Sequence, residues 1–272
     1  MNTTTRKLIF FDIDGTIITE GNRHEDRFIP PSLPETLKRL KENGHLCFVN
    51  SGRAYAEIED TIRNLDFDGY ICGCGTFILY HGKTLFSKSF PYDFGYTLIK
   101  DLDEMNLEWL LEGVSDIYYS TKKYTTIIDG FRSEQLRLVP DAITLIEPGT
   151  THDLNFDKFC VGLGKDHKFE EFQKKYQSDL TFIDRGQDFF EIMPKTCSKA
   201  SGIRFLEEYF DIPHEDTIAI GDSVNDLPML SYAAYSICMG NGAKELFDQV
   251  NYVTDSVEND GICHAMEYLH LI

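Results

Sequence analysis

A doubly wound α/β core carrying an inserted α+β segment is the fold this sequence predicts, and three observations lead there. Apolar strand-like runs alternate with helical stretches at both ends of the chain. That rhythm breaks between about residues 84 and 191. Short acidic or glycine-containing segments follow the predicted strands, where open parallel sheets bind their ligands. A length of 272 residues accommodates two units of ordinary size.

The run Leu8-Ile9-Phe10-Phe11 within Lys7–Asp12 has no alternation, as expected of a strand buried on both faces. Ser32 with Glu35 reads as a capping box, with Pro34 in the first turn, for a helix through Leu37 and Leu40. Asn43-Gly44 stops it. Leu46–Val49 is a second strand, followed by Ser51-Gly52-Arg53 and a helix to about Asn64; Tyr70–Cys72 is a third strand. Phe77–Tyr80 and Thr84–Phe86 flank His81-Gly82, a hairpin signal. In the segment that follows, helices are expected near 92–105, 131–138 and 166–176. Strands are expected near 107–111, 116–120, 124–128, 158–163, 181–184 and 189–193. Asp184-Arg185-Gly186-Gln187-Asp188 reads as a turn before the last of these, with a loop reaching a cleft as the other possibility. Beyond Pro194 come a helix from about Ser198 to Phe210 and a strand at Thr217–Ile220. Short units at Ser236–Met239 and Tyr252–Val253 and a closing helix from about Ile262 complete the pattern.

Composition excludes several functional classes. Lys and Arg number 26 against 45 Asp and Glu, a net charge of −19 that repels nucleic-acid phosphates and anionic lipid. No stretch approaches the roughly 20 apolar residues of a membrane span, and Met1–Lys7 runs into a strand without a cleavage signal, so a cytoplasmic protein is expected. Seven scattered cysteines, with Cys72-Gly73-Cys74 the one close pair, read as reduced thiols and not as a zinc site or disulfide frame.

Four segments then carry one chemistry: Asp12-Ile13-Asp14-Gly15-Thr16, Ser51-Gly52-Arg53, Lys199, and Gly221-Asp222-Ser223-Val224-Asn225-Asp226. Asp12 at a strand end is a usable nucleophile toward phosphorus, splitting one displacement into two through a phosphoaspartyl intermediate. Asp14, two residues on, can protonate a leaving oxygen and then activate water. Gly15 permits the tight turn and Thr16 holds it locally. Ser51 and the Gly52 amide at a helix start offer a phosphate seat, though a serine there is also an ordinary N-cap. Arg53 reaches either substrate or a surface ion-pair partner. Carboxylates such as Asp222 supply the hard oxygen that Mg²⁺ prefers.

In this order the segments resemble the haloacid dehalogenase superfamily, and within it the Cof-like sugar phosphatases with a type IIB cap. Met239-Gly240-Asn241-Gly242 and Val253-Thr254 fit as well, so the likeness spans nearly the whole chain. It departs at Ser51, often threonine in the family, at Thr196 and Ala200, often glycine, and at Cys74-Gly75-Thr76, commonly Asn-Gly-Ala. The resemblance implies a Rossmann-like core of residues 1–83 and 192–272 and a cap of residues 84–191 that sets substrate specificity. It selects Lys199 over Lys195 as the lysine that grips the phosphate and offsets the nucleophile's charge. It implies Mg²⁺ held by the Asp12 carboxylate, the Asp14 backbone carbonyl and the Asp222 carboxylate. Asp226 would orient a metal-bound water or Lys199, and Asn225 would donate to the phosphate.

The expected activity is Mg²⁺-dependent hydrolysis of a small phosphorylated metabolite, a sugar phosphate above all, by a monomer with no nucleic-acid or membrane partner. Two rivals remain at this level. A phosphomutase or phosphotransferase of the same superfamily would need a second phosphate site, for which the cap offers Arg132, Arg137 and Arg185. A non-catalytic sensor of phosphorylated metabolites would not need the full set of chemical residues.

Overall fold

In a computed structural model, which describes residues 5–21, 26–147 and 154–272, the chain forms two compact units. One comprises Met1–Gly52, Thr61–Leu85 and Ser198–Ile272; the other comprises Arg53–Asp60 and Phe86–Cys197.

The first unit begins with β1 (Leu8–Phe11), whose four side chains are fully buried, as its unbroken apolar run requires. Helix α1 (Leu33–Glu42) turns Leu33, Leu37 and Leu40 inward and ends at Asn43, with Gly44 at φ +89° beyond it. Its start differs from the expected capping box. Ser32 makes no cap, because its hydroxyl donates to Asp260 Oδ1 at 2.5 Å, a partner 228 residues away. Then come β2 (Leu46–Asn50), the four-residue α2 (Asp60–Arg63), β3 (Gly69–Cys72), β4 (Phe77–Tyr80) and β5 (Lys83–Ser87). His81 and Gly82, both at positive φ, make the β4–β5 hairpin turn.

The second unit follows with α3 (Tyr92–Glu104), β6 (Glu108–Glu112), β7 (Ile117–Ser120), α4 (Ile127–Leu138), β8 (Ile143–Ile146), β9 (Lys158–Gly162), α5 (Phe169–Tyr176), β10 (Leu180–Asp184) and β11 (Phe189–Pro194). The chain re-enters the first unit with α6 (Lys199–Phe210), β12 (Thr217–Gly221), α7 (Leu227–Tyr232), β13 (Tyr235–Cys238), β14 (Tyr252–Val253) and α8 (Gly261–Tyr268).

The first unit's sheet runs β14-β13-β12-β1-β2-β3-β4-β5, parallel as far as β3 and antiparallel from β3 to β4. From β1 the chain winds outward to β2 and β3, then returns to β12 on the other side of β1. That reversal makes the β1/β12 pair a topological switch point, with a crevice at the strands' carboxyl ends.

In the second unit a six-stranded sheet runs β10-β11-β9-β6-β7-β8, antiparallel except for β7/β8. Alternation assigns its faces. Trp109, Leu111, Phe159, Val161 and Ile192 pack with Leu98 and Leu102 of α3 and Phe169 and Phe172 of α5. Leu110, Ile117, Tyr119 and Cys160 pack with Ile128 of α4 and with Ala56. Glu112, Lys158 and Glu191 share that second face. Lys158 Nζ lies 3.1 Å from Glu112 and 2.5 Å from Glu191, which also pairs with Arg185. Burial works to raise Glu191, but Lys158 and Arg185 outweigh it and hold the carboxyl at about 2.

Two expected elements differ, and one strand appears that the sequence did not suggest. Residues 124–128 form no strand. The amides and hydroxyls of Thr125 and Thr126 all donate to the Glu108 carboxylate, so the stretch becomes the entry to α4. Strand β8 was not foreseen. The helix expected after Ser51 is replaced by a 3₁₀ turn at Tyr55–Glu57 and the short α2. Ala54 and Ile58 are extended, and the Glu57 carboxylate accepts from the Ala54 amide at 2.7 Å, closing the turn on itself. Arg185, which opens the β10–β11 turn, pairs with Glu191 of β11, and Gly186, Gln187 and Asp188 of the turn are all at positive φ. All seven cysteines are free thiols, six of them buried. Among the described residues no helix is long and apolar enough to cross a membrane.

Candidate active site

Asp12 follows β1 directly, and its amide still bonds to Ile220 O of β12 at 3.0 Å, which fixes its carboxylate at the switch point. Asp222 leaves the end of β12 beside it. Between them the chain turns sharply: the amides of Thr16, Ile17 and Ile18 all reach back to Ile13 O, and the Gly15 amide bonds to Ile18 O. Gly15 sits at φ +73°, and a Cβ there would lie 2.3 Å from Asp222 Oδ2. Glycine is thus required twice, for the backbone angle and for the room Asp222 occupies. Thr16 Oγ1 reaches Asp222 Oδ1 at 3.5 Å across the turn.

Lys199 is the first residue of α6, capped by Ser198, whose hydroxyl accepts from the Ser201 amide. The Asn50 side chain donates to Lys199 O at 3.0 Å, tying the end of β2 to this helix start. The ammonium, 2% exposed, lies 2.6 Å from Asp12 Oδ1 and 2.5 Å from Asp226 Oδ1. Burial works to lower its pKa, and the two carboxylates more than reverse that, so it stays charged. Asp226 spends its other oxygen on the amides of Asp222 and Ser223, at 3.0 and 3.1 Å. It shapes the loop that presents Asp222.

The carboxylates of Asp12, Asp222 and Asp226 each offer an oxygen within 4.8 Å of the other two, and all three are buried. Lys199 supplies one positive charge against three negative ones. The imbalance appears in the titration of the group. Burial, then Asp226, pushes Asp12 up to about 7, while burial, then Asp12 and Asp226, pushes Asp222 up to about 8. Such a set fits a hard divalent cation, which prefers carboxylate oxygens and would neutralise the excess charge. Because Asp226 is committed to Lys199 and two amides, Asp12 and Asp222 are the better side-chain ligands.

Ser51 is buried at the end of β2, its amide bonded to Ile71 O of β3 at 2.9 Å and its carbonyl accepting from the Cys74 amide at 3.2 Å. Ser51 and Gly52 therefore stand at a strand end and its turn, without the helix start expected there. Asn225 accepts from the Ser223 hydroxyl through Oδ1, which leaves its Nδ2 as the donor end. Asp14 has a half-exposed side chain paired with Arg27. Arg53 belongs to the second unit, where it lies 3.2 Å from Glu59.

Sequence reasoning missed Arg27, Asn50 and Asn241. Asn241 Nδ2 donates to Gly15 O at 2.8 Å while its Oδ1 accepts from the Val257 amide at 2.8 Å, so it clamps the turn from the far end of the unit. The Met239–Gly242 segment signalled the place but not this role.

The sequence profile of the haloacid dehalogenase-like hydrolases matches residues 9–266. A putative phosphatase of Haemophilus influenzae is 39% identical over 272 residues, covering 96% of this chain and 97% of its own. The putative phosphatase YkrA of Bacillus subtilis is 27% identical over 98% of both chains. Among solved structures, the subclass IIB sugar phosphatase BT4131 superposes with a TM-score of 0.78 at 23% identity, covering 98% of this chain and all of that one.

Proposed function

The chain belongs to the haloacid dehalogenase-like hydrolase family, and from that premise we propose that it is a Mg²⁺-dependent phosphatase of small phosphomonoesters, sugar phosphates foremost. The observation that carries this reading is the Asp12–Lys199–Asp226 chain with Asp222 beside it at the β1/β12 switch point.

An Asp12 oxygen attacks phosphorus, the bond to the ester oxygen breaks, and Asp14 gives its proton to that oxygen as it leaves. In the second step Asp14 takes a proton from water as the water attacks phosphorus, the Asp12–phosphorus bond breaks, and inorganic phosphate departs. Lys199 holds the Asp12 carboxylate in place and faces the transferring group with a fixed positive charge, where electrostatic preorganisation counts most. Ser51, the Gly52 amide and Asn225 Nδ2 bind phosphate oxygens. The Asp12 and Asp222 carboxylates and the Asp14 carbonyl would hold Mg²⁺, which supplies charge neutralisation of the phosphoryl group. Asp226 keeps Lys199 and the Asp222 loop in register.

We assign substrate selection to the second unit, within residues 84–191, because the phosphate chemistry above draws on the first unit alone. The relative BT4131 is described as a sugar phosphatase, which supports that substrate class. A monomer in the cytoplasm agrees with the free thiols and the acidic surface. Hydrolysis is favoured over transfer to a sugar hydroxyl. Two of the arginines available for a second phosphate site are committed, Arg132 to Asp129, Ser120 O and Lys122 O, and Arg185 to Glu191.

The test is phosphate release from p-nitrophenyl phosphate and from a panel of sugar phosphates, with Mg²⁺, with EDTA, and in the Asp12→Asn protein. Activity that needs Mg²⁺ and disappears in Asp12→Asn is expected. Undiminished turnover by either the chelated or the Asp12→Asn protein would refute the reading.

A further inference from the structure

We infer that Asn50 is a positioning residue for Lys199, its side-chain amide fixing where the lysine backbone stands relative to Ser51. The inference rests on the phosphatase reading above, with Lys199 facing the transferring group and Ser51 binding its oxygens.

Asn50 closes β2, one residue before Ser51, and is fully buried; the four residues ahead of it, Leu46, Cys47, Phe48 and Val49, are buried and apolar. Its Nδ2 donates to Lys199 O at 3.0 Å, a partner 149 residues away. A carbonyl only accepts, so this bond settles which end of the amide faces the helix. The other end, Oδ1, is buried, and no donor of the described residues meets it. A second contact reaches the same helix start. Gly75 lies at φ +89°, and a Cβ there would stand 2.2 Å from the carbonyl oxygen of Ser198, the cap of α6. The first turn of α6 is thus seated on the end of β2 and on the turn after β3.

Lysine carries its charge on a flexible four-carbon stem, so where the ammonium sits depends on where the backbone is held. Strand β2 lies beside β1, which delivers Asp12. One bond from the end of β2 therefore fixes Lys199 against the sheet that carries the nucleophile and against the serine next in the chain. As a purely structural residue Asn50 would be a poor choice. A buried acceptor without a donor destabilises a fold. The Lys199 carbonyl, as the first of α6, also accepts from the amide four residues on, so it does not depend on Asn50 for a partner. An apolar side chain of similar size would serve the core as well. What it cannot supply is the tie, and a small misplacement of a group that faces the reacting atoms is costly.

The experiment measures kcat and KM for p-nitrophenyl phosphate at saturating Mg²⁺, the inhibition constants of vanadate and inorganic phosphate, and thermal melts. Vanadate adopts the five-coordinate geometry of a phosphoryl group in transfer, whereas phosphate is a ground-state ligand, and a group aimed at the transition state separates the two. The proteins are wild type, Asn50→Leu, Asn50→Ala, Lys199→Met and the Asn50→Leu/Lys199→Met double variant. Asn50→Leu is expected to melt close to wild type. A displacement of about 1 Å can cost about 10²-fold, so kcat in both Asn50 variants should fall by about tenfold to 10²-fold with KM little changed. The vanadate constant should rise by a similar factor and the phosphate constant by far less. The double variant should be no slower than Lys199→Met alone, since residues acting through one another are not additive. Equal rises in the two inhibition constants, or multiplied losses in the double variant, would overturn the inference. If both Asn50 variants melted far below wild type, the amide would be a structural tie and the inference would fail. A wild type that released no phosphate with Mg²⁺ would bring down the phosphatase reading and this inference together. A Lys199-dependent enzyme whose Asn50 variants kept the wild-type kcat would sink the role of Asn50 alone.

Discussion

Replacing Asp222 by asparagine should make the metal-free protein more stable at pH 8, although it removes a residue proposed for the reaction. Asp222 is 6% exposed, and burial followed by the fields of Asp12 and Asp226 lifts its carboxyl to about 8. Unfolded, it titrates near 4. A carboxyl raised in the folded state binds its proton there across that window while the unfolded chain does not, so stability falls as pH rises from about 4 to about 8. At about 1.4 kcal/mol for each pH unit of the window, the ceiling for Asp222 is about 6 kcal/mol. Asp12 and Asp222 share one field, so the realised difference should be on the order of 2–4 kcal/mol. The assay is thermal denaturation in EDTA at pH 5 and pH 8, with wild type and Asp222→Asn side by side. At about 2–4 °C per kcal/mol for a chain of this size, the variant should melt several degrees above wild type at pH 8 and close to it at pH 5. Saturating Mg²⁺ should reverse the order. A cation at about 1,000 times its Kd adds about 4.1 kcal/mol, more than the variant's lead, and the variant should gain little of it. A variant that melted below wild type at pH 8 without metal, or that kept the wild-type pH profile, would refute the charge imbalance on which the metal assignment stands.

Lys199→Met should cut turnover of p-nitrophenyl phosphate by about 10²–10³-fold or more, the scale for removing one preorganised electrostatic partner; steady-state kinetics at saturating Mg²⁺ checks it. Gly15→Ala places a methyl group against the Asp222 carboxylate and strains a residue at φ +73°. It should raise the Mg²⁺ concentration for half-maximal activity more than it raises KM for substrate, as a metal titration would reveal. Glu191→Gln should destabilise the protein more at pH 6 than at pH 3. The depressed carboxyl contributes stability above about pH 4.5 that is lost as pH falls toward about 2, so denaturant melts at the two pH values should differ in that direction.

The strands bearing Asp12, Ser51 and Asp222 were legible because each is a short unbroken apolar run ending in small or acidic residues, and burial on both faces demands that pattern. Lys199 was legible only through the family resemblance, which picks it over Lys195 as the lysine that opens the helix after β11. What escaped was decided by distant partners. Ser32 carries a capping signal, yet Asp260 takes its hydroxyl. Tyr124-Thr125-Thr126-Ile127-Ile128 is β-branched enough to read as a strand, yet Glu108 binds four of its donors and starts a helix. Arg27 and Asn241 act on the first motif only because a loop return and the closing segment bring them there; local pattern holds no trace of Arg27 and marks the place of Asn241 without its role.

The grouping of residues 53–60 with 86–197 bears on how this chain can be recombined with its relatives. The second unit is not one cassette. Exchanging residues 86–197 alone would leave Ala56 without the Leu110, Ile128 and Cys160 surface it packs against, and Glu57 without the Gln135 amide that donates to it. A chimera meant to borrow another member's selectivity must therefore carry the 53–60 strap as well, and its first junction then falls between Gly52 and Arg53, inside the Ser51-Gly52-Arg53 motif. Grafts cut at the outer pair of boundaries alone should be poorly soluble, and grafts that include the strap should fold.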